Sequence, residues 1–554
     1  MPKKFLEKGL AILLKRQTNI LSAAFVIMGT VVIAQLLGLI RQRLLVAIFG
    51  ASNILGVYLA SSRLPDFLFQ LIIAGALSSA FIPVFSEYLG KDKKEDACRM
   101  GSSLLLMGLI IFSFVSLLLF IFAPFFSKLM APGFSLDQIS LMASLMRIII
   151  LGELFFIVAT FFSAVLQSFS HFFVPGIAAA SYNLGIIICI YFLSPYVGIF
   201  SAAYGVILGA LLFVLVQIPM VRKVGFIFRP SLSIKKSGVL QVLKLMWPRS
   251  ISIGVFQLGA VLTVTLVSFL PNPGRNYVIF DYAQTLYFAP VVLFGQAIAQ
   301  AAFPVLSREK NKLDDFKATF ITSFNQMMYL VLPVSVLLLV LRIPVVRLLF
   351  GAGQFDWQAT VLTGRTLAFF SVSIFAQALV YLVSRGFYAL HDTKTPLTVG
   401  TITTFFMLGL GALFIFKYHL GVESIAIGYS VSSIFEVIVL FLLLDRKVNG
   451  FPKRNLFFSL FKIILGTMFM GFALYIPIKL LDQLVIDTTR TVGLLLLTGV
   501  STFAGLSLYL FLTWLFDVKE AQTFILIFKK VGDWKQILTR KEEIITPSPE
   551  ASQH

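Results

Sequence analysis

The sequence predicts an all-α polytopic membrane protein with about 14 transmembrane helices, built as two six-helix lobes in a parallel repeat plus two extra C-terminal helices. Three observations predict this class: the composition, the length of the apolar segments and an internal repeat. Apolar residues make up 58% of the chain and charged residues 13%, and the mean hydropathy is +0.94. A water-soluble protein of this length would need a more polar surface.

Apolar segments long enough to cross a hydrocarbon core of about 30 Å recur along the chain. We place spanning helices at residues 20–49, 54–86, 102–130, 138–168, 173–194, 198–221, 240–270, 279–306, 317–341, 357–390, 396–416, 422–444, 456–480 and 491–516. The second and tenth segments are long enough to bend within the membrane.

An internal repeat relates the first twelve segments. Residues 221 positions apart are identical at many points: Gly38 and Gly259, Ala80 and Ala301, Pro83 and Pro304, Phe134 and Phe355, Pro175 and Pro396. Six spans separate equivalent helices, and an even number preserves their direction, so the repeat is parallel, with its axis along the membrane normal. Duplicated lobes around a midplane cavity are typical of secondary transporters.

The distribution of basic residues predicts the topology. The formal net charge of +20 could indicate a nucleic-acid-binding surface. However, the even-numbered connections and the termini hold about four times as many Lys and Arg as the odd-numbered connections, which is the pattern of cytoplasmic segments. We therefore expect both termini in the cytoplasm and no nucleic-acid partner. The scattered histidines and cysteines form no metal-ligand or nucleophile spacing, so we expect no cofactor.

These assignments divide the chain into six parts. They are a basic cytoplasmic N-terminus (1–19), a first lobe of six spans (20–222), a basic cytoplasmic linker (223–239), a second lobe (240–447), two extra spans (448–516), and a C-terminal amphipathic helix with a disordered tail (517–554). The amphipathic helix is expected to lie on the anionic inner leaflet or, equally, to pack on cytoplasmic loops.

Ionisable side chains inside the spans are the first functional candidates, because such groups are costly in a bilayer. Counting about 1.5 Å per residue places several arginines roughly 10–14 Å below the outer membrane surface. An arginine cluster at the apex of a cavity suits a phosphorylated substrate, since guanidinium binds phosphate oxygens in pairs. Snorkelling, or pairing with Asp66 and Glu153, is the alternative. The intramembrane ionisable residues are Arg41, Arg43, Arg63, Asp66, Arg147, Glu153 and Arg365.

Polar residues and helix breakers add to this set. Glutamines in the spans could bind sugar hydroxyls and amides, or could equally hydrogen bond between helices. Pro65 and Pro290 predict kinks where a helix lines a cavity. Among these residues Gln284 is a primary substrate-binding candidate, while Gln35 and Arg385, with Arg147 and Glu153, are secondary candidates.

Several stretches resemble the MurJ (MviN-like) lipid II flippases of the MOP transporter superfamily. They are Leu37 to Arg41, Ile48 to Ala51, Arg63 to Asp66, Gly75 to Pro83, Ala131 to Phe134, Leu349 to Phe355, and Gly386 to Pro396, within a resemblance covering about residues 20–515. The resemblance implies two lobes in a V shape that alternate access. It also implies transfer of an undecaprenyl-pyrophosphate-linked peptidoglycan precursor across a bacterial inner membrane, with the two extra spans forming a groove for the polyprenyl tail.

The chain departs from the family pattern at charged positions. Gln35 stands where the family usually has a second arginine in the first span, and Gly56 replaces an acid early in the second. A basic pair is replaced by Phe69 and Gln70, and an Asp-Arg pair becomes Gln284 and Thr285. Either Arg41, Arg43, Arg63 and Arg365 take over pyrophosphate binding, or the substrate differs.

Two other functions compete with a lipid II flippase. One is a MOP exporter of another lipid-linked oligosaccharide or of a drug, although a drug exporter would normally lack the two extra spans. The other is a polytopic glycosyltransferase, which is disfavoured because the outer acids, including Asp281, Asp356 and Glu423, form no cluster in the sequence. We expect a monomeric transporter, not an enzyme, with possible coupling to membrane potential or a monovalent cation.

Overall fold

The computed structural model describes residues 20–74, 80–229, 237–484 and 491–521. Within these ranges all regular structure is helical. The first half contains α1 (Ile20–Phe49), α2 (Asn53–Phe69), α3 (Ile82–Gly90), α4 (Lys94–Ile121), α5 (Ala123–Met130), α6 (Leu136–Ser168), α7 (Phe173–Val197) and α8 (Phe200–Lys223). The predicted basic N-terminus and the amphipathic helix fall mostly outside the described residues.

The second half has the same order, except that two helices within residues 357–389 stand where the first half has one, and it adds two helices at its end. It contains α9 (Ser237–Ser268), α10 (Pro273–Pro290), α11 (Ala297–Arg308), α12 (Leu313–Val340), α13 (Arg342–Phe350), α14 (Trp357–Ser371), α15 (Ile374–Ala389), α16 (Lys394–Phe416), α17 (Glu423–Lys447), α18 (Lys453–Leu484) and α19 (Thr491–Leu515).

Short polar residues define where these helices begin. The Ser52 hydroxyl accepts a hydrogen bond from Leu55 N at the start of α2, and Ser135 forms a capping box with Gln138 at the start of α6. Asp356 caps α14 in the same way through Ala359 N. Such oxygens satisfy amide groups that the first helical turn leaves without partners.

Eleven described helices are long and apolar enough to cross a membrane, or twelve if α14 and α15, bent by 43°, form one span. The bend confirms the prediction for the tenth segment. The predicted second segment falls on α2 and α3, which are separated by residues 75–79 outside the described ranges. The seventh falls on α9, whose apolar part is Ile253–Ser268. The count of fourteen therefore stays a prediction.

The repeat seen in the sequence also appears in the packing. In the first half α1 packs on α7, α2 on α6, and α8 on both α6 and α7. In the second half α9 packs on α16, α10 on α14, and α17 on α14, α15 and α16. A π-helical turn interrupts the equivalent spans at Gln70–Ala74 and at Val291–Gln296, which begin 221 residues apart. Local backbone geometry is thus duplicated along with the sequence.

The two halves meet closely at the predicted outer end. A Cβ on Gly56 of α2 would lie 1.9 Å from the Gly274 carbonyl oxygen of α10, so only glycine permits this approach. Gly133 N donates to the Ser268 hydroxyl at the end of α9 over 3.2 Å. The amide of Gln354 donates to the carbonyl of Ala47 at 2.9 Å. We call this set of contacts the outer contact.

At its other end, α9 also packs on the first half. Gly238 lies against the side chains of Met100 and Tyr88, and Val239 and Val242 are buried. Along α9, Gln257 lies between this region and the outer contact. The space between the two halves is therefore bounded at both ends of α9.

Candidate functional site

A cavity of about 280 Å³ lies between the halves at the level of Gln257. Spans α2, α6 and α7 provide most of its wall, and α9 closes the opposite side. Its polar groups come from three ionisable residues, one tyrosine and two glutamines, which is unusual for a space within apolar spans. The lining residues are Arg63, Asp66, Phe69, Gln70, Glu153, Phe156, Tyr182 and Gln257.

Arg63 links the two halves at the outer edge of this cavity. Its guanidinium forms an ion pair with Asp281 of α10, and Arg63 Nε donates to the Tyr277 hydroxyl at 2.6 Å. The Arg63 and Asp281 side chains are 28% and 12% exposed. A largely buried ion pair is costly to break from one side, because the remaining charge loses its partner. The pair therefore favours the conformation in which the halves touch.

Asp66 lies one turn further along α2 and faces a second acid. Its carboxyl group is within hydrogen-bonding reach of Glu153 on α6 and of the Ser62 hydroxyl. Glu153 is 6% exposed, and its Oε2 has no hydrogen-bond partner among the described residues. The sequence left open whether Arg63 would pair with these acids; its direct partner is Asp281, and Asp66 is a further charge nearby.

Arg41 approaches the same group from α1. It is half-buried and close enough to Asp66, Tyr58 and Tyr182 to interact electrostatically with them. No hydrogen bond or ion pair joins it to another described residue. Arg41 and Arg63 thus share Asp66 as a neighbour, although only Arg63 lines the cavity. That the two arginines together hold phosphate stays a prediction.

Other predicted site residues lie apart from this cavity. Arg43 is exposed and donates to the Leu348 carbonyl at 2.9 Å. Arg147 donates from Nε to the Phe120 carbonyl at 3.0 Å and lies over its ring. Arg365 pairs with Glu423 at 3.1 Å. Each of these three arginines therefore has a partner that does not line the cavity.

The remaining candidates are dispersed as well. Arg385 lies over the rings of Phe303 and Tyr388, at 5.3 and 5.8 Å from their centroids. Gln35 is exposed on α1, and Gln284 is half-buried on α10. None of these three lines the cavity described above.

The two partners of Arg63, Tyr277 and Asp281, were not predicted from the sequence. Asp281 was counted among outer acids without a cluster, because the contact between α2 and α10 joins residues 218 positions apart. Tyr277 and Asp281 are spaced i, i+4, so they share one helical face. In the sequence, this spacing of a tyrosine and an acid near the start of an apolar span was the feature that indicated a polar contact here.

Outside the spans, Asp392 is held in the connection between α15 and α16. Its carboxylate accepts from Lys447 Nζ at 2.6 Å, from Thr395 N at 3.0 Å and from the Thr395 hydroxyl at 2.8 Å. Burial disfavours the charge, but these hydrogen bonds outweigh it and lower the pKa of Asp392 to about 2. This contact fixes the connection to the end of α17.

Comparison with known proteins bears on this arrangement. A family profile described as "Lipid II flippase MurJ" matches residues 45–493. "Probable lipid II flippase MurJ" of Buchnera aphidicola subsp. Acyrthosiphon pisum (strain APS) is 29% identical over 479 residues, which cover 84% of this chain and 91% of that protein. The protein of the same name from Haemophilus influenzae is 27% identical over 476 residues, covering 81% and 91%.

Two solved structures have a similar fold. "Lipid II flippase MurJ, inward closed conformation" superposes with a TM-score of 0.73 at 24% identity, covering 89% of this chain and 98% of that one. An inward-facing multidrug resistance MATE family transporter of the MOP superfamily gives 0.64 at 15% identity, covering 75% and 94%. At these identities the likeness concerns the fold alone.

Proposed function

The chain belongs to the lipid II flippase MurJ family, and from this premise we propose that it moves lipid II from the cytoplasmic to the outer leaflet of the bacterial inner membrane. It is a transporter and not an enzyme. The observation that carries the proposal is the family match across residues 45–493, which includes the end of α1 and all helices from α2 to α18. The predicted alternative, a MOP exporter of a drug, rests on fold similarity only.

The geometry supports alternating access. The halves touch through glycine-mediated contacts at the predicted outer end, and a polar cavity lies between them. A pyrophosphate group held in this cavity could leave on the outer side only after Gly56 and Gly274 separate and Arg63 releases Asp281. We therefore propose that the outer contact is the gate on the outer side.

Arg63 has two roles in this proposal. With the gate closed, its guanidinium is neutralised by Asp281. An anionic pyrophosphate entering the cavity competes with Asp281 for the same donors, because a carboxylate and a phosphate both accept from the guanidinium fork. Binding of substrate to Arg63 would thus weaken the ion pair that holds the gate. Arg41, which forms no ion pair with another described residue, supplies the second charge.

The remaining site residues, the oligomeric state and the topology also belong to the proposal. We retain Arg43, Asp66, Gln284 and Arg365 as weaker substrate-binding candidates, and we expect a monomer with cytoplasmic termini.

α18 and α19 are proposed to hold the polyprenyl tail. Two facts support this. Both helices contact α12: α18 packs on it, and the Tyr509 hydroxyl of α19 donates to the Tyr329 carbonyl at 2.8 Å. Both helices also expose large apolar side chains, such as Phe472 and Phe503. Apolar surface at this location suits contact with lipid.

Complementation tests the function directly. A strain depleted of its own lipid II flippase should regain growth when it expresses this chain, and an Arg41→Gln, Arg63→Gln double variant should fail. Asp137→Asn, a change of an exposed acid at the start of α6, serves as the matched control and should complement. If the wild-type chain reaches the membrane, does not restore growth and instead confers drug efflux, the exporter alternative is correct.

A further inference from the structure

The carboxyl groups of Asp66 and Glu153 form a pair that takes no part in the exchange of Asp281 for pyrophosphate on Arg63. They face each other from α2 and α6 within hydrogen-bonding reach, and both line the cavity. Glu153 is more than nine-tenths buried, and its Oε2 has no partner among the described residues. An unpartnered, buried oxygen at a cavity wall is costly unless something occupies it.

The chemistry of two touching carboxyls limits what can occupy the pair. An ionised carboxylate only accepts hydrogen bonds, so two ionised groups cannot bond to each other. Two neighbouring negative charges also repel each other strongly in an apolar environment. One proton between them removes one charge and turns the contact into a donated hydrogen bond.

The charges of the surrounding groups also indicate that the pair holds one proton. Arg41 and Arg63 supply two positive charges, and Asp281 supplies one negative charge on the partner side of the gate. Asp66 and Glu153 with one shared proton supply one more negative charge, which makes the group neutral. The titratable and charged side chains around the pair are Arg41 on α1, Tyr58 and Arg63 on α2, Tyr182 on α7, and Tyr277 and Asp281 on α10.

We propose that Asp66 and Glu153 form a proton-binding site that holds one shared proton while the gate is closed. The proposal rests on the proposed function only for its consequence in transport. When the halves separate, Asp281 leaves with α10, and Arg63 loses its compensating charge. The freed arginine then stabilises two carboxylates, so opening favours release of the proton to water in the cavity. By linkage, binding of the proton favours the closed gate to the same extent.

Infrared difference spectroscopy tests the site without using lipid II. Purified full-length protein in lipid nanodiscs is titrated with acid and base, and the C=O stretching region of protonated carboxylic acids is recorded. The wild type should show a protonated band near neutral pH that both Asp66→Asn and Glu153→Gln remove. Asp137→Asn alters an exposed acid on the same helix as Glu153 and should leave the band in place.

Two outcomes would overturn the proposal. One is a band whose intensity is the same in the wild type and in both single variants, or that the wild type lacks, since both carboxyls would then be ionised or uninvolved. The other is loss of the band when choline is replaced by Na⁺ at constant ionic strength, because Na⁺ would then be the occupant. Thermal unfolding of each variant checks that it is folded, and either single variant alone suffices for the test. A chain that fails complementation yet shows the band refutes the flippase function only.

Discussion

Replacing Gly56 by alanine should open the gate by an amount that the structure defines. The new Cβ would lie 1.9 Å from the Gly274 carbonyl oxygen, while real Cβ contacts are essentially never below 3.0 Å. The two helices must therefore move apart by about 1 Å. Overpacking of a closely packed contact costs about 1–3 kcal/mol, which corresponds to about a 5–150-fold shift toward the open gate.

Labelling from outside the cell measures this shift. A cysteine at the cavity residue Gln70, in a chain carrying Cys98→Ser and Cys189→Ser, should react with an impermeant maleimide only while the gate is open. Gly56→Ala should raise the labelling rate within the stated range. Gly409→Ala is the matched control, because its Cβ meets nothing within 4 Å and it gains the same helix propensity. Equal labelling rates for wild type and Gly56→Ala would refute the assignment of the gate.

Further changes test the charges. Arg63→Gln should abolish transport and lower the thermal stability in detergent, since it leaves Asp281 buried without a partner, at a cost of up to about 3–5 kcal/mol. Adding Asp281→Asn should restore stability but not complementation; restored growth would mean that Arg63 only holds the gate. Arg41→Gln should abolish complementation with an unchanged melting temperature, and Arg41→Lys should recover part of it, because lysine lacks the bidentate fork. Asp392→Asn should destabilise the protein at neutral pH. Since the folded-state pKa of about 2 is below the ordinary value of about 3.9, the wild-type advantage should disappear as the pH falls from about 4 toward 2; an advantage that persists at pH 2 would contradict the ion pair.

The sequence predicted the features that depend on local composition. Hydropathy and the offset of 221 residues located the repeated spans, and the structure adds that the π-helical turns beginning at Gln70 and Val291 keep the same offset. Contacts between the halves were not predictable in this way. In the sequence, Gly56 is seen only as a position without the acid that is usual in the family. Its contact with Gly274 is visible only in the packing of α2 on α10, two helices far apart in the sequence.

The partners of individual charges were likewise beyond the sequence. Periodicity shows that a residue such as Arg63 or Arg365 lies in a span, but not which helix faces it. Asp281 and Glu423 stood near the predicted ends of spans, where acids are normally solvated. Their pairing with Arg63 and Arg365 depends on how the helices pack, which hydropathy does not encode.

The position of Arg63 gives a physical reason why this chain can lack the family's basic pair at Phe69 and Gln70. Gln70 directly follows α2 and is seven positions after Arg63, which is close to two helical turns, so the two residues lie on the same side of this span about 10 Å apart along its axis. Both side chains line the cavity. Arg63 belongs to a stretch that the chain shares with the family, so the cavity wall keeps this cation beside the gate after the loss of the pair at Phe69 and Gln70. At this position Asp281 can compete for it. In the proposed scheme Arg63 would both bind the anion and hold the halves together, so substrate binding and gate opening would be a single exchange of partners.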